Sequence, residues 1–535
     1  MDREKLYFTT KLAYGSGDMG PAITANILVF YLLYFFTNVA GLPAGLASMI
    51  LAIGKVADAI NDPIAGILSD RTRTPWGRRL PWMLWGTIPF GVFFFLQWIV
   101  PEFSSDRSAN NWWLFIYYVA IGILFNLAYT AVNLPYTALT PELTQDYNER
   151  TSLNSFRFAF SIGGSILSLI LANLIFYAYP DNPKQQYVVL GIVTTIISML
   201  AILWCTLRIQ ERGAVPFLNR QAQKIVGYGL VAIAVIGIIY GISQVTTHLL
   251  VTVTTVLIGL QLLLFAWTLI AAKTETHLRE EQGIIDRHNS AAETTISIKD
   301  QLTIAFTNKP FLYIIGIYLC SWLAVQLTAS ILIYFVVSWM KMSAGDFSLI
   351  AIAVQGTALI MLFFWQFVSE KIGKKAVYFI GSGVWMIAQA GLFLIQPGQI
   401  GLLYLLAVMA GIGVSVAYLV PWSMIPDVIE LDELNTGQRR EGIFYSFMVL
   451  LQKFGLALAL LLVGQALDLA GFISSPTGAP IPQQPESALL AIRIAVGPLP
   501  TIALILGLIL AYFYPITKEV HDEIRLKLEA RKNQG

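Results

Sequence analysis

The chain has 535 residues, of which 56% are hydrophobic and only 12% charged, with 34 basic residues against 32 acidic ones. Soluble domains carry about 25% charged residues, so this composition points to a membrane-embedded protein. A formal net charge of +2 gives no hint of nucleic-acid binding.

A bilayer crossing needs about 20 mostly apolar residues, and about fourteen stretches meet that length. In chain order they fall at 20–38, 44–68, 81–100, 112–135, 154–178, 187–207, 225–245, 249–271, 310–338, 347–369, 376–396, 400–425, 442–465 and 490–514. The first lies too deep in the chain, and matches the later ones too well, for a cleaved signal peptide. Cys205 and Cys320 fall inside spans and read as packing residues.

The basic residues are strongly sided. With the N-terminus inside, 28 of the 34 fall on the cytoplasmic side, including Arg71, Arg73, Arg78 and Arg79 after the second span and Lys371, Lys374 and Lys375 after the tenth. Only Arg107, Lys184 and Lys341 fall outside, while Lys55, Lys453 and Arg493 lie within the membrane. This positive-inside bias predicts a multi-pass protein of the cell (plasma or inner) membrane with both termini cytoplasmic.

An internal repeat narrows the architecture. LPYTALTPEL (134–143) ends the fourth span and VPWSMIPDV (420–428) ends the twelfth, each with a proline–aromatic–hydroxyl triplet followed by a proline and an acid. GILSDRTRTPWGRR (66–79) has a degenerate partner in FVSEKIGKK (367–375). Parallel six-span halves related in this way are the signature of the major facilitator fold. The expected organisation is an all-α membrane protein with a six-helix bundle over 1–208, an inserted hairpin and connector over 209–309, and a second bundle over 310–535.

Asp58 and Asp62 interrupt the apolar run LAIGKVADAINDPIAGIL (51–68). Four residues is about one helical turn, so both carboxylates share a face. Buried like charges cost several kcal/mol unless a cation or a shared proton neutralises them. Lys55, three residues before Asp58, is the competing structural partner, but one lysine cannot neutralise two acids. Pro63 can free a backbone carbonyl there. Lys453 lies mid-span in FMVLLQKFGLALALLLVG, too deep to snorkel, and needs water or an anionic partner, for which Asp58 or Asp62 across the cavity or the substrate would serve. A static interhelical salt bridge is the alternative for it.

The segments KLAYGSGD (11–18), YFFTNVAGL (34–42), DAINDPIAG (58–66), DRTRTPWGRRLPW (70–82), PDVIELDELNTGQRREG (426–442) and FMVLLQKFG (447–455) resemble the glycoside–pentoside–hexuronide:cation symporters. The likeness covers most of both six-helix halves, but neither the hairpin nor the connector at 273–309. It implies cation-coupled transport of a sugar or glycoside. The implied cation site is Asp58, Asn61, Asp62 and Thr130, whose oxygens suit Na⁺, with a shared proton as the physical alternative. No other cofactor is expected.

The resemblance also implies substrate positions at Tyr129, Asn133, Thr137, Arg157, Tyr418 and Lys453. It implies a conformational latch from Asp70, Arg71, Gly77, Arg78 and Arg79, with Asp427 and Arg440 in the second half; fixing topology is the simpler role for these arginines. Of these, Arg157 lies toward the cytoplasmic end of its span, where headgroup contact competes with a substrate role.

Several positions depart from the sugar carriers. Their first-helix Lys-Asp pair falls on Pro21 and Ala22, a fourth-helix aspartate on Asn133 and a tryptophan on Thr137. LVPWSMIPDVIELDEL (419–434) also resembles sodium-dependent lysophosphatidylcholine symporters, relatives of the sugar carriers, so an amphipathic lipid is the rival cargo. A membrane enzyme or sensor is disfavoured: the four histidines (His248, His277, His288, His521) lie in loops or tails without metal-ligand spacing. The partners expected are one small molecule, one monovalent cation and the bilayer, with the chain acting as a monomer.

Overall fold

The structure, a computed structural model, describes residues 5–144, 147–245, 249–271, 306–436, 441–475 and 482–534. In chain order the membrane-length helices are α1 (Phe8–Asn38), α2 (Ala44–Arg71), α3 (Leu80–Leu96), α4 (Arg107–Thr137), α5 (Tyr147–Ala178) and α6 (Pro183–Arg208). Then come α7 (Arg220–Ser243) and α8 (Leu249–Ile270), followed by α9 (Lys309–Trp339), α10 (Ala344–Ile372), α11 (Lys374–Leu394), α12 (Ile400–Thr436), α13 (Glu441–Leu469) and α14 (Glu486–Phe513). A terminal helix, α15 (Lys518–Gln534), completes the chain. Among the described residues thirteen helices are long and apolar enough to cross a membrane, and α3, at 17 residues, is the shorter apolar helix.

Every apolar stretch of the sequence is therefore helical, with shifted ends. The largest shift is in α1, which starts at Phe8 rather than near 20. Its polar first half is held by partners on neighbouring helices: Lys11 pairs with Glu149 at 2.8 Å, and Ser16 donates to the Ala201 carbonyl at 3.1 Å. Side-chain caps supply the unpaired N–H groups at several helix starts. Asp106 accepts from Ala109 N, Asn182 from Gln185 N, Asn219 from Ala222 N and Asn308 from Phe311 N. Ser343 and Asp346 form a reciprocal capping box at α10. Gly373, at φ +85°, is the single residue turning α10 into α11.

The packing repeats between halves. α1 packs on α5 and α6, α2 on α4, and α3 on α4 and α6. Eight helices later, α9 packs on α13 and α14, α10 on α12, and α11 on α12 and α14. Both α1 and α9 carry a π-helical turn, at Leu28–Leu32 and Phe335–Trp339. The result is two six-helix bundles of the major facilitator fold with a two-helix hairpin between them in sequence.

The hairpin is anchored rather than loosely appended. Gln261 of α8 donates to the Ile197 carbonyl at 3.0 Å, and Trp204 Nε1 donates to Thr268 at 2.8 Å. Buried Arg208 spans three helices, donating to the Thr268 carbonyl at 3.1 Å and to Thr9 and Thr10 of α1 at 3.2 and 3.1 Å. α8 lies against the first bundle on one side and exposes Leu260, Leu264 and Trp267 on another, while α7 presents Ile225, Tyr228, Ile236 and Ile239 outward.

The halves meet along α2–α13 and α5–α10. Their hydrogen bonds gather at the face opposite the N-terminus. Tyr31 meets Ser348 at 2.7 Å, Thr37 meets Tyr334 at 2.7 Å, Asn173 donates to the Gly345 carbonyl at 2.9 Å, and Ser474 donates to the Leu42 carbonyl at 2.7 Å. Nearer the centre, Gln355 donates to Asn26 at 2.8 Å.

Candidate cation and substrate site

At the middle of the α2–α13 seam, two helices bring four charged groups together beside a hydroxyl of a third. Asp58 and Asp62 project one turn apart from α2, with Pro63 following inside the same helix. Thr130 of α4 donates toward Asp58 Oδ1 at 3.2 Å and Asp62 Oδ1 at 2.9 Å. From the other half, Lys453 Nζ lies 3.0 Å from Asp58 Oδ2 and 2.5 Å from Asp62 Oδ2. Lys55 stands further off, 3.8 Å from Asp58 and 3.4 Å from Asn126 Oδ1. The acid pair thus has two ammonium groups beside it, and the nearer one crosses the boundary between halves.

Asp58 is the most enclosed member, its side chain 4% exposed against 26% for Asp62 and 19% for Lys453. A cation could reach Asp62 first. Asn61 is part-buried and makes no side-chain hydrogen bond among the described residues.

A second charged pair lies within the first bundle. Arg157 Nε of α5 donates to Asp18 Oδ2 of α1 at 3.2 Å, and the guanidinium sits 5.7 Å from the Tyr136 ring centroid. The bundle therefore holds Arg157 by a carboxylate rather than leaving it to headgroups. Asp18 lies just before the first span expected at 20–38 and was not singled out; the longer α1, starting at Phe8, places it within the helix. It supplies a first-helix carboxylate one turn from Pro21 and Ala22, where the sugar-carrier alignment lacked one.

The remaining positions are scattered around these pairs. Tyr129 packs against Phe90 and Phe125. Asn133 keeps a buried Oδ1 without a hydrogen-bond partner among the described residues, and Thr137 donates to the Leu134 carbonyl within its own helix. Tyr418 of α12 is 40% exposed and meets Trp322 of α9 edge-on at 5.5 Å; Trp322 in turn stacks on Tyr318 at 5.9 Å.

The loop between α2 and α3 is built as a repeated ion pair. Arg78 Nε donates to Glu142 at 3.0 Å, while in the second half Lys374 Nζ sits 2.7 and 2.8 Å from the Asp427 oxygens. Glu142 and Asp427 are the acids following proline in the two repeated segments, so the repeat extends to the side-chain contact. Sequence reasoning quoted Glu142 in its repeat but did not assign it, and it missed Glu211 altogether. The Glu211 carboxylate accepts from Arg78 N at 2.8 Å, Arg79 N at 2.7 Å and Leu80 N at 2.7 Å, capping the start of α3.

Gly77, at φ +105°, makes room for Glu211: a Cβ there would lie 2.3 Å from the Glu211 Cδ. Burial pushes the Glu211 carboxyl above its usual range, against the pull of the three N–H donors. Arg79 also donates to Ser69 at 3.0 Å, and Arg71 is exposed. Arg440 lies outside the described residues, as does the side chain of Asp70.

Residues 13–225 and 217–518 match the MFS/sugar transport protein family, and the chain belongs to it. It is a transporter and not an enzyme. Over its full length it is 59% identical to an uncharacterized symporter of Synechocystis sp., covering 99% of that protein. It is 28% identical to the sodium-dependent lysophosphatidylcholine symporter 1 of Xenopus tropicalis, over 98% of this chain and 91% of that one. In three dimensions it is similar to the xylose transporter XylE from E. coli in an inward-open conformation, with TM-score 0.55, 12% identity and coverage of 97% and 98% of the two chains. That likeness concerns the fold alone.

Proposed function

We propose that this protein is a cation-coupled symporter working by alternating access, in which the coupling ion takes the place of Lys453 beside Asp58 and Asp62. The observation that carries this reading is an ammonium of one half held between two carboxylates of the other. A tethered cation at that position is a natural competitor for a free one. Binding of Na⁺ or a proton would neutralise the acids, and Lys453 would then turn to the cargo. Ion and cargo would each strengthen the other's binding by the same factor. The oxygen set of Asp58, Asp62 and Thr130, with Asn61 within a turn, suits a hard monovalent ion. The name of the Xenopus relative also favours sodium.

The basic loops put the N-terminal face in the cytoplasm. In that orientation the hydrogen-bonded closure at the opposite face corresponds to an inward-facing state. The hairpin, tied on by Arg208, Trp204 and Gln261, travels with the first bundle as the halves rock. A single chain supplies both halves of the site, so a monomer suffices.

For the cargo we favour an amphiphile with a charged headgroup, of the lysophospholipid class. Lys453 and Arg157 offer cationic groups for a phosphate, Asp18 offers a carboxylate for an ammonium, and likeness to a lysophosphatidylcholine symporter runs along nearly the whole chain. A sugar or glycoside is the second reading, favoured by the family match and by Asp18, since carboxylates beside arginines hold sugar hydroxyls well. The test is radiolabelled uptake of lysophosphatidylcholine and of glycosides into cells expressing the protein, with Na⁺ or choline outside. Accumulation independent of both Na⁺ and proton gradients, or unaffected by Asp62→Cys, overturns the coupling site. Gradient-driven uptake of a glycoside alone selects the second cargo.

A further inference from the structure

The helix that ends the chain is docked through a histidine held between two acids. Ile524 and Leu528 of α15 are buried in the same apolar cluster as Ile425, Val428 and Ile429 of α12. One turn before Ile524, His521 Nε2 lies 2.9 Å from Glu430 Oε2 and 3.5 Å from Asp427 Oδ1. Asp427 is the acid already paired with Lys374 at the start of α11. The histidine therefore joins the tail to the repeated ion pair that closes this end of the second bundle. It plays no part in the transport site.

We propose that α15 is a detachable clamp on the near end of the second bundle, released when His521 loses its proton. Geometry and charge carry this. A single nitrogen, Nε2, lies near both carboxylates, and its one N–H can point at only one of them in either protonation state, so what holds the second acid is the ring's charge. Asp427 and Glu430 carry two negative charges against the one positive charge of Lys374. The cluster balances only when His521 is protonated.

Tyr514, in the segment leading into α15, is held far above its usual range by burial and stays neutral. On the helix itself Lys518 lies beside Glu519, Lys527 pairs with Glu523 at 2.6 Å, and Arg525 is exposed. With a neutral ring the tail keeps the apolar contacts of Ile524 and Leu528 but faces an excess of negative charge.

Its consequence is mechanical. α12 carries Tyr418 and Trp422, and α11 begins one residue after the Gly373 turn, so a docked α15 restrains the end of the bundle that must move when access alternates. The test is hydrogen exchange by mass spectrometry on the full chain in nanodiscs at pH 5.5 and 8.0, corrected for the intrinsic dependence of exchange on pH, with α9 as internal reference. Protection of amides 518–534 should fall at least tenfold at the higher pH in the wild type. It should be low and flat in His521→Gln, which cannot take the charge. In Glu430→Gln, which leaves Lys374 and Asp427 balanced, the pH dependence should shrink. Unchanged wild-type protection across the two pH values overturns the proposal, and so does a His521→Gln tail that keeps the wild-type pH dependence.

Discussion

Lys453 of α13 reaches Asp62 of α2 at 2.5 Å, so a salt bridge joins the two bundles at the depth where the acids of one meet the solitary lysine of the other. A buried pair broken from one side leaves an uncompensated charge, which costs about 3–5 kcal/mol. Here Asp62 and Lys453 keep some exposure, so the lower end of that range applies.

Lys453→Met should therefore destabilise the protein by about 3 kcal/mol in sodium-free buffer, because Asp58 and Asp62 lose their nearest cation. Sodium should then recover part of the loss. The measurement is the thermal midpoint in NaCl against choline chloride at equal ionic strength. The sodium-induced shift should be larger in the variant than in the wild type. An equal shift means that Lys453 and the ion do not compete. Asp58→Asn should abolish the shift in either background.

The Gly77–Glu211 contact makes a second prediction, outside the transport site. Gly77→Ala faces a left-handed backbone, costing about 1–2 kcal/mol, and a Cβ driven into the Glu211 carboxylate. Glu211→Ala alone removes the cap on three N–H groups of α3. The double variant should cost less than the sum, since the clash disappears with the carboxylate, and denaturation of all four proteins closes the cycle. Burial raises the folded-state pKa of Glu211, so its stabilising contribution is complete below the unfolded value of about 4.3 and is lost as pH rises through the raised one. Glu211→Gln should flatten stability across that acid window.

How much of this was open to sequence reasoning divides along a physical line. Apolar length and the basic loops give the helices and their order, because a bilayer imposes both on composition. The Asp58–Asp62 spacing and the solitary Lys453 are legible for the same reason: a charge within a span needs a partner. Asp58 and Asp62 could be named among the partners of Lys453, but the choice between them, the substrate and Lys55 as the acids' own partner could not, because Lys453 is separated from Asp62 by most of the chain and Lys55 is nearer in sequence yet further in space. Asp18 went unassigned because the expected alignment pointed one turn later, to Pro21 and Ala22. Glu211 carries no local pattern at all; its role comes from a loop folding back on the start of α3. The side of α8 that meets the first bundle is marked in sequence by little more than Gln261 and Thr268, which bond Ile197 and Trp204.

Arg208→Met should unhook the hairpin. The guanidinium links the Thr268 carbonyl of α8 to Thr9 and Thr10 of α1, and a thioether replaces none of these hydrogen bonds. Each bond to a charged group contributes about 1.5–3 kcal/mol, though loss is shared with packing retained at Trp204 and Gln261. Hydrogen exchange over 249–271 should speed up about tenfold while α9 through α14 stay unchanged. Acceleration spread evenly over both bundles would show global destabilisation instead of a hinge at α8.

Asp18 and Arg157 separate the two cargo readings, because one substitution moves them in opposite directions. Asp18→Asn keeps the size and the acceptor oxygen but removes the charge that occupies Arg157. A sugar held by hydroxyls donating to the Asp18 carboxylate loses a charge-assisted bond, worth about 1.5–3 kcal/mol, and binds at least tenfold more weakly. A phosphate headgroup instead meets an arginine freed from its internal partner. Its binding should hold or tighten, with any loss confined to whatever the carboxylate gave to the ammonium end. Equilibrium binding of a glycoside series and of lysophosphatidylcholine and lysophosphatidic acid to the two proteins, all in saturating Na⁺, reads the sign directly. Lysophosphatidic acid has no ammonium and so reports the arginine alone. Weaker binding of every ligand would assign Asp18 to the architecture of α1 and α5, and both cargo roles for the pair would fall together.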